Sequence, residues 1–304
     1  MNYTSFADQN SWIYEAGVRD PQRLLQYLTS QGWSETLANN FINITSSVPM
    51  RYFILDDSGS MSTTDGHLVR GHLVEECTRW TELCNSIQRV YRICNNGLMR
   101  AKFINLNGPT YVIPEHGDVS EELTFLEMGK MRGGGTPLCS VLRNVISEIS
   151  IYADVLRNCG KVVSIVLFTD GEASDGDISD QLELLKMMPV HLTIRLCTDT
   201  QRIIDYWNSI DKNIELNADI INDFIGEANE IYSVNSWLCY TNELHTFREF
   251  GVSDKPLDLL DETPFKQFQI EEMRKFIGSE DKKYCYVKHR MRNYVEKPSK
   301  CSIM

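Results

Sequence analysis

A doubly wound, mostly parallel α/β sheet is the fold the sequence predicts, on three observations. Val162 to Phe168, VVSIVLF, is almost continuously apolar, as a central strand covered on both faces must be. A second apolar run, Met50-Arg51-Tyr52-Phe53-Ile54-Leu55, stops abruptly at Asp56. Strand and helix signals then alternate from residue 50 to about residue 225, the pattern of helices packed on both faces of a parallel sheet.

Taken in order, Pro21 to Leu28 repeats apolar positions at helical spacing, and Trp33 to Ile44 does so again after the break Gln31-Gly32. His67 to Asn95 is amphipathic and predicts one or two helices. Ala101 to Leu106 and Tyr111 to Pro114 predict strands joined by the turn Asn107-Gly108-Pro109. Leu138 to Leu156 predicts a long helix, Leu182 to Met188 a short one, and Val190 to Cys197 another strand. The remainder to Ile277 predicts helices with polar connectors. The chain divides into a helical lead-in over 1–49, an α/β domain over 50–225, a helical extension over 226–280 and a basic tail over 281–304.

At 304 residues and 42% hydrophobic, the chain is long and apolar enough to bury a sizeable core. Its net charge of -12 argues against nucleic acid as the main partner and favours cations. No run of eighteen apolar residues predicts a membrane-spanning helix. The opening MNYTSFADQNSWIYEAG lacks the basic start and apolar block of a secretion signal, which predicts a cytoplasmic chain. The nine cysteines form no CxxC pair, which predicts reduced thiols, with Cys84 and Cys94 in a helical pattern. In that compartment the acceptor sequence Asn43-Ile44-Thr45 carries no glycan.

The chemistry lies in the loops that leave the buried strands. Asp56-Asp57-Ser58-Gly59-Ser60-Met61 comes after one, Thr169-Asp170-Gly171-Glu172 comes after another, and Gly133-Gly134-Gly135-Thr136-Pro137-Leu138 opens a helix between them. In an open α/β sheet, loops at the carboxyl ends of strands converge on one crevice. Asp56 and Asp170 offer carboxylates, and Ser58, Ser60 and Thr136 offer hydroxyls. This all-oxygen set suits a hard cation such as Mg2+ or Mn2+ and not zinc or copper, since neither His nor Cys is among the donors.

These three segments resemble the three-part signature of von Willebrand factor A domains: DxSxS after the first strand, Thr before Pro in a Gly-rich loop, and TDG after a hydrophobic strand. The segments GWSETLANNF, Arg79-Trp80, FINLN, RLCTDTQRIIDYWNSID, SVNSWLCY and LHTFREFGV further resemble an intracellular eukaryotic A-domain family, over roughly residues 25 to 265. The resemblance implies a Rossmann-like A-domain fold and a metal-ion-dependent adhesion site. In it, Ser58, Ser60 and Thr136 ligate directly while Asp56 and Asp170 often act through water. It also implies that an Asp or Glu of a partner protein completes the coordination, so that the cation bridges two proteins.

Other chemistries fit less well. An aspartyl-nucleophile phosphatase needs a second carboxylate two residues after Asp56, where Ser58 stands. GGGTPL lacks the GK[ST] of a P-loop, and the acidic stretch from Asp170 lacks the glycine and glutamate of an EF-hand. No nucleophile elbow surrounds Ser58. A hydrolase using the same cation in phosphoryl chemistry is the alternative, with Glu172 or Asp57 as its base. Glu172, Asp175 and Asp177 read as a solvated acidic rim, and Glu121 to Met128 reads either as a short acidic edge beside these loops or as an ordinary exposed turn. His67 and His72 read as surface or satisfied structural groups, and Trp80, Trp207 and Trp237 as core.

The sequence closes on Cys301-Ser302-Ile303-Met304, which fits a prenylation box with Cys301 as the farnesyl acceptor. Lys282, Lys283, Lys288, Arg290, Arg292, Lys297 and Lys300 precede it, and would supply a second attraction to an anionic membrane face.

Overall fold

The run RYFIL becomes β1 (Arg51–Leu55), buried at every position and flanked on both sides by parallel partners. The computed structural model describes residues 11–70, 73–113, 129–198, 200–214, 218–252 and 254–278. Within them lie β2 (Gly66–Arg70), β3 (Leu73–Cys77), β4 (Ala101–Asn105), β5 (Thr110–Val112), β6 (Val163–Thr169), β7 (Val190–Leu196) and β8 (Ala218–Ile221). Six of these form one sheet in the order β5-β4-β1-β6-β7-β8, parallel except for the edge strand β5. With the separate hairpin β2–β3 set aside, this is the 3-2-1-4-5-6 order of doubly wound sheets, whose direction of winding reverses between β1 and β6.

Helices cover both faces. They are α1 (Pro21–Ser30), α2 (Glu35–Thr45), α3 (Arg79–Asn96), α4 (Leu138–Ser150), α5 (Ala153–Asn158), α6 (Ser179–Lys186), α7 (Gln201–Ile214), α8 (Phe224–Val234), α9 (Asn242–Glu249) and α10 (Gln267–Ile277), with single turns at Ser11–Tyr14 and Lys255–Asp258. The pleat explains the continuous apolar runs: Phe53, Leu55, Val166 and Phe168 point into one cluster, and Tyr52, Ile54, Ile165 and Leu167 into the other. The first cluster holds Leu28 and Phe41 of the lead-in together with Phe247 and Met273 of the extension. Both flanking segments therefore share the core on one face of the sheet, and α4, α6 and α7 cover the other with Leu142, Leu182 and Trp207.

The structure corrects the sequence reading in two places. The stretch His67 to Asn95 is not helical throughout: its start forms the hairpin β2–β3, paired from Gly66↔Cys77 to Arg70↔Leu73, and α3 begins only after Thr78. Thr78 caps that helix, its side chain accepting from the Thr81 amide, which satisfies one of the orphan donors at the helix start. The helix expected from Leu138 to Leu156 divides into α4 and α5, where the Tyr152 amide turns back to the Ile149 carbonyl. The strand β8 lies within the alternating α/β region but is one that the sequence reading assigns to no particular segment. Residues 121–128 and the tail, with Cys301, lie outside the described residues. The cysteines among the described residues are free thiols, and no helix there is long and apolar enough to cross a membrane.

One buried cation ties the layers together. Arg195 of β7, 1% exposed, donates from Nε to Glu249 of α9 (3.2 Å), from an Nη to Glu82 of α3, and from the other Nη to the Leu196 carbonyl (2.9 Å). Burial works against charge on Glu249, but His245, Arg195 and Arg89 more than offset it and hold its carboxyl well below the usual range. Arg248, next to Glu249 on α9, faces Glu227, Asp219 (3.4 Å) and Asp261 (3.7 Å). Replacing Arg195 by Met should cost about 3–5 kcal/mol in urea unfolding, because Glu82 would stay buried without its cation and Glu249 would keep only His245 and Arg89. The triple replacement Arg195→Met, Glu82→Gln, Glu249→Gln should recover much of that loss; a single-variant loss below ~1 kcal/mol would refute the network's structural weight.

Carboxylates around Arg248 outnumber it, and this has a pH signature. Half-buried Asp258 is pushed up to about 7, first by burial and then by the neighbouring charges of Asp219 and Glu262. The folded state therefore holds a proton that the unfolded chain releases near pH 4. The stability this contributes is full below that point and is lost as pH rises through about 7. The unfolding midpoint should fall between pH 5 and pH 8, and by less in Asp258→Asn, when both proteins are compared by denaturant titration at each pH.

A candidate metal site at the switch point of the sheet

Asp56 and Asp170 stand directly after β1 and β6, the two strands between which the winding reverses. The crevice outside their carboxyl ends is where an open α/β sheet leaves room for a ligand. The Asp56 amide continues the ladder by donating to the Phe168 carbonyl (3.0 Å), so the loop leaves the sheet only after this residue. Asp56 is fully buried. Its Oδ1 accepts from the Ser58 amide (3.0 Å) and its Oδ2 from the Thr169 hydroxyl (2.7 Å).

The loop then enters a short 3-10 turn, Gly59–Ser62, that brings Ser60 back towards Ser58. Their hydroxyls lie 3.1 Å apart, and Ser60 Oγ donates to Asp170 Oδ1 (2.8 Å). Asp56, Ser58, Ser60 and Asp170 thus form one oxygen-rich group from two loops. Thr136 comes from a third. The Gly133 amide donates to the Asp57 carbonyl (2.9 Å), and the Gly59 amide donates to the Gly134 carbonyl (3.1 Å), which docks the glycine loop against the Asp56–Ser60 loop. Gly133 and Gly134 have φ of 72° and 107°, where a side chain is strained. Thr136 itself is clamped by its backbone: its amide donates to Ser174 Oγ (2.8 Å), and its carbonyl accepts from the Ser174 amide (2.9 Å).

Electrostatics shape the group. Burial raises the Asp56 carboxyl; the bonds from Ser58 and Thr169 oppose this, and the nearby Asp170 charge adds to it. Among the described residues no basic side chain pairs with Asp56. Asp170 has one, since Arg79 Nη1 donates to its Oδ2 (2.8 Å) while the rest of that guanidinium grips both oxygens of Asp65 (2.6 Å each). Two close carboxylates thus share the crevice with one half-committed cation.

Several residues that support the site carry no role, or a different one, in the sequence reading. Asp57 is a loop staple: its Oδ1 accepts from the Asn107 amide (2.7 Å) and side chain (3.1 Å), and the same side chain donates to the Gly135 carbonyl (2.9 Å). Asp57 Oδ2 is buried without a hydrogen-bond partner among the described residues. Asp175, expected at the rim, accepts from the Cys139 and Ser140 amides (3.0 and 2.8 Å) and so caps α4. Glu172 pairs with Arg202. His67 lies 3.3 Å from Asp223, while Trp207 is fully buried, Trp80 nearly so and Trp237 partly. Asp57 next to Asp56, and an Arg opening a helix at Arg79, are the signals the sequence offers for these supports.

The glycine loop yields a paired test. At Gly134 an added Cβ would meet Asn107 Oδ1 at 3.0 Å, whereas at Gly133 it would meet nothing within 4 Å. Gly133→Ala should carry only the left-handed backbone penalty, about 1–2 kcal/mol, and Gly134→Ala clearly more, because it also displaces the Asp57–Asn107 staple. Equal losses in urea unfolding would refute the staple.

No family model matches the chain, and no curated protein matches it. Among solved structures it is similar to the VWA domain of SpRpn10, at 12% identity over 57% of this chain and 86% of that one, with a TM-score of 0.37. It is also similar to the conserved hypothetical protein BatB from Bacteroides thetaiotaomicron, at 13% identity over 48% of this chain with a TM-score of 0.35, and spans 65% of that protein's chain, less than two thirds. An uncharacterized membrane-spanning protein from Vibrio fischeri matches at 13% identity over 60% of this chain and 96% of that one, with a TM-score of 0.21.

Proposed function

We propose that the chain is a von Willebrand factor A-type interaction module. In this reading Asp56, Ser58, Ser60, Thr136 and Asp170 hold Mg2+ or Mn2+, and an acidic side chain of a partner protein completes the coordination. The observation that carries the reading is the hydrogen-bonded group Ser58–Ser60–Asp170, with Asp56 beside it, at the switch point of the sheet. Its donors are all oxygens. A divalent cation would compensate the burial of Asp56 and its repulsion by Asp170, both of which disfavour two charged carboxylates in the apo protein. With only two carboxylates in the set, a bound divalent cation would be neutralised and not over-neutralised, so a further carboxylate could approach it without meeting excess negative charge. Whatever the partner, this chain's part would be to hold the cation between the two loops that carry Asp56 and Asp170.

Calorimetric titration with Mg2+ and Mn2+ tests the metal, with wild type beside Asp56→Ala/Asp170→Ala. Binding by wild type that disappears in the variant is the expected result; unchanged heats in the variant would overturn the site. For the partner, wild-type and variant proteins serve as bait in Mg2+, followed by elution with EDTA. A protein eluted only from wild type supports the bridging role, and identical capture by both baits refutes it.

A further inference from the structure

The extension carries an apolar groove that the proposed metal site does not use. The turn Lys255–Asp258 and α10 enclose about 360 Å³ between them, floored by Pro256, Leu259, Phe265, Met273 and Phe276. Phe268 stands at its edge, 58% exposed, the only large hydrophobic of α10 so far in the open among the described residues. Asp254 and Glu272 place carboxylates on the rim, against the single cation Lys255. An exposed apolar surface of this kind normally marks a binding site.

The chain beyond α10 matches the groove in both charge and pattern. Gly278 ends the helix in a left-handed conformation (φ 65°), the cap that redirects a chain at a helix terminus. Residues 281–304 carry seven Lys and Arg side chains against Asp281 and Glu296, a net charge of +5. That leaves -17 on residues 1–280 of a chain whose total is -12. Near the start of this segment stands Lys282-Lys283-Tyr284-Cys285-Tyr286-Val287-Lys288, an aromatic and apolar core flanked by lysines, complementary to an apolar floor with an acidic rim.

We propose that this groove is the docking site of the chain's own segment 282–288, with Tyr284, Tyr286 or both on the Phe268–Phe276 face and the lysines against Asp254 and Glu272. The reach is sufficient. Tyr284 lies six residues past Gly278, about 20 Å when extended, while α10 is only about 16 Å long, so the segment can run back along the helix that forms the wall. A tether this short presents the segment at an effective concentration on the order of millimolar, so even weak affinity keeps the groove occupied.

The test uses the full chain with photoreactive p-benzoylphenylalanine in place of Phe268. Irradiation and subsequent peptide mapping should join position 268 to a peptide containing residues 282–288. In a mixture of isotopically labelled and unlabelled protein, the joined peptides should carry the same label. Yield should fall several-fold in the variant Lys282→Glu/Lys283→Glu/Lys288→Glu and at high salt. The same probe at Leu184, 52% exposed on α6, serves as the control and should not capture the segment. Capture only of other segments, joining between differently labelled chains, an unchanged yield in the charge-reversed variant, or equal capture from Leu184 would each overturn the proposal.

Discussion

A guanidinium on a central strand constrains most of this molecule. Arg195 lies on β7, between two parallel neighbours and beneath helices, where an unpaired charge would cost several kcal/mol. It is tolerated only because α3 and α9, far apart along the chain, each deliver a carboxylate to it. Glu82 also accepts from the His67 amide (2.8 Å), which draws the hairpin into the same arrangement. The hairpin, α3, the sheet and the extension are thus mutually dependent. A buried ion network of this kind contributes little net stability compared with an apolar core, but it penalises every alternative docking of α3 and α9.

That dependence reaches the candidate site through α3. The helix starts at Thr78, so Arg79 sits in its first turn, three residues from Glu82, and faces Asp170 and Asp65. Fixing Glu82 on Arg195 therefore fixes where Arg79 meets Asp170. The glycine loop is set independently, by Asp57 and Asn107 on one side and by Ser174 on the other. Three loops far apart in sequence are held by contacts made largely outside the five candidate donors.

The candidate donors are legible in the sequence because each sits near a recognisable boundary: where an apolar run stops, or where a glycine run meets proline. Their supports are not, since they depend on distant pairs. Arg195 is visible as a lone cation in VHLTIRL, yet nothing local names Glu82 or Glu249 as its partners. The hairpin escapes a reading by periodicity because Leu68, Val69, Leu73 and Val74 satisfy helical spacing as readily as alternation, and only the pairing with the facing strand decides between them. The strand β8 has four residues, one of them Asp219, which pairs with Arg248; that partner explains the polarity that disguises the strand. Asp175 reads as rim because a carboxylate that caps a distant helix looks, in sequence, like any acid in a loop.

The division of labour among these residues bears on what the crevice can do. The hydroxyls of Ser58 and Ser60 hydrogen-bond to each other and to Asp170, while the folding of their loop rests on Asp57, Gly59 and the glycines. A cation drawing those hydroxyls would replace the Ser58–Ser60 contact and the Ser60–Asp170 bond with ion–dipole contacts, without unfastening the glycine loop. Asp170 would still keep Arg79 on its other oxygen. A site whose donors carry structural duties would have to unfold partly to bind. Here Asp57, Asn107, Ser174 and the glycines fasten the loops, while of the candidate donors Asp56 alone accepts a bond from its loop's backbone, which is the kind of preorganisation a coordination site would require.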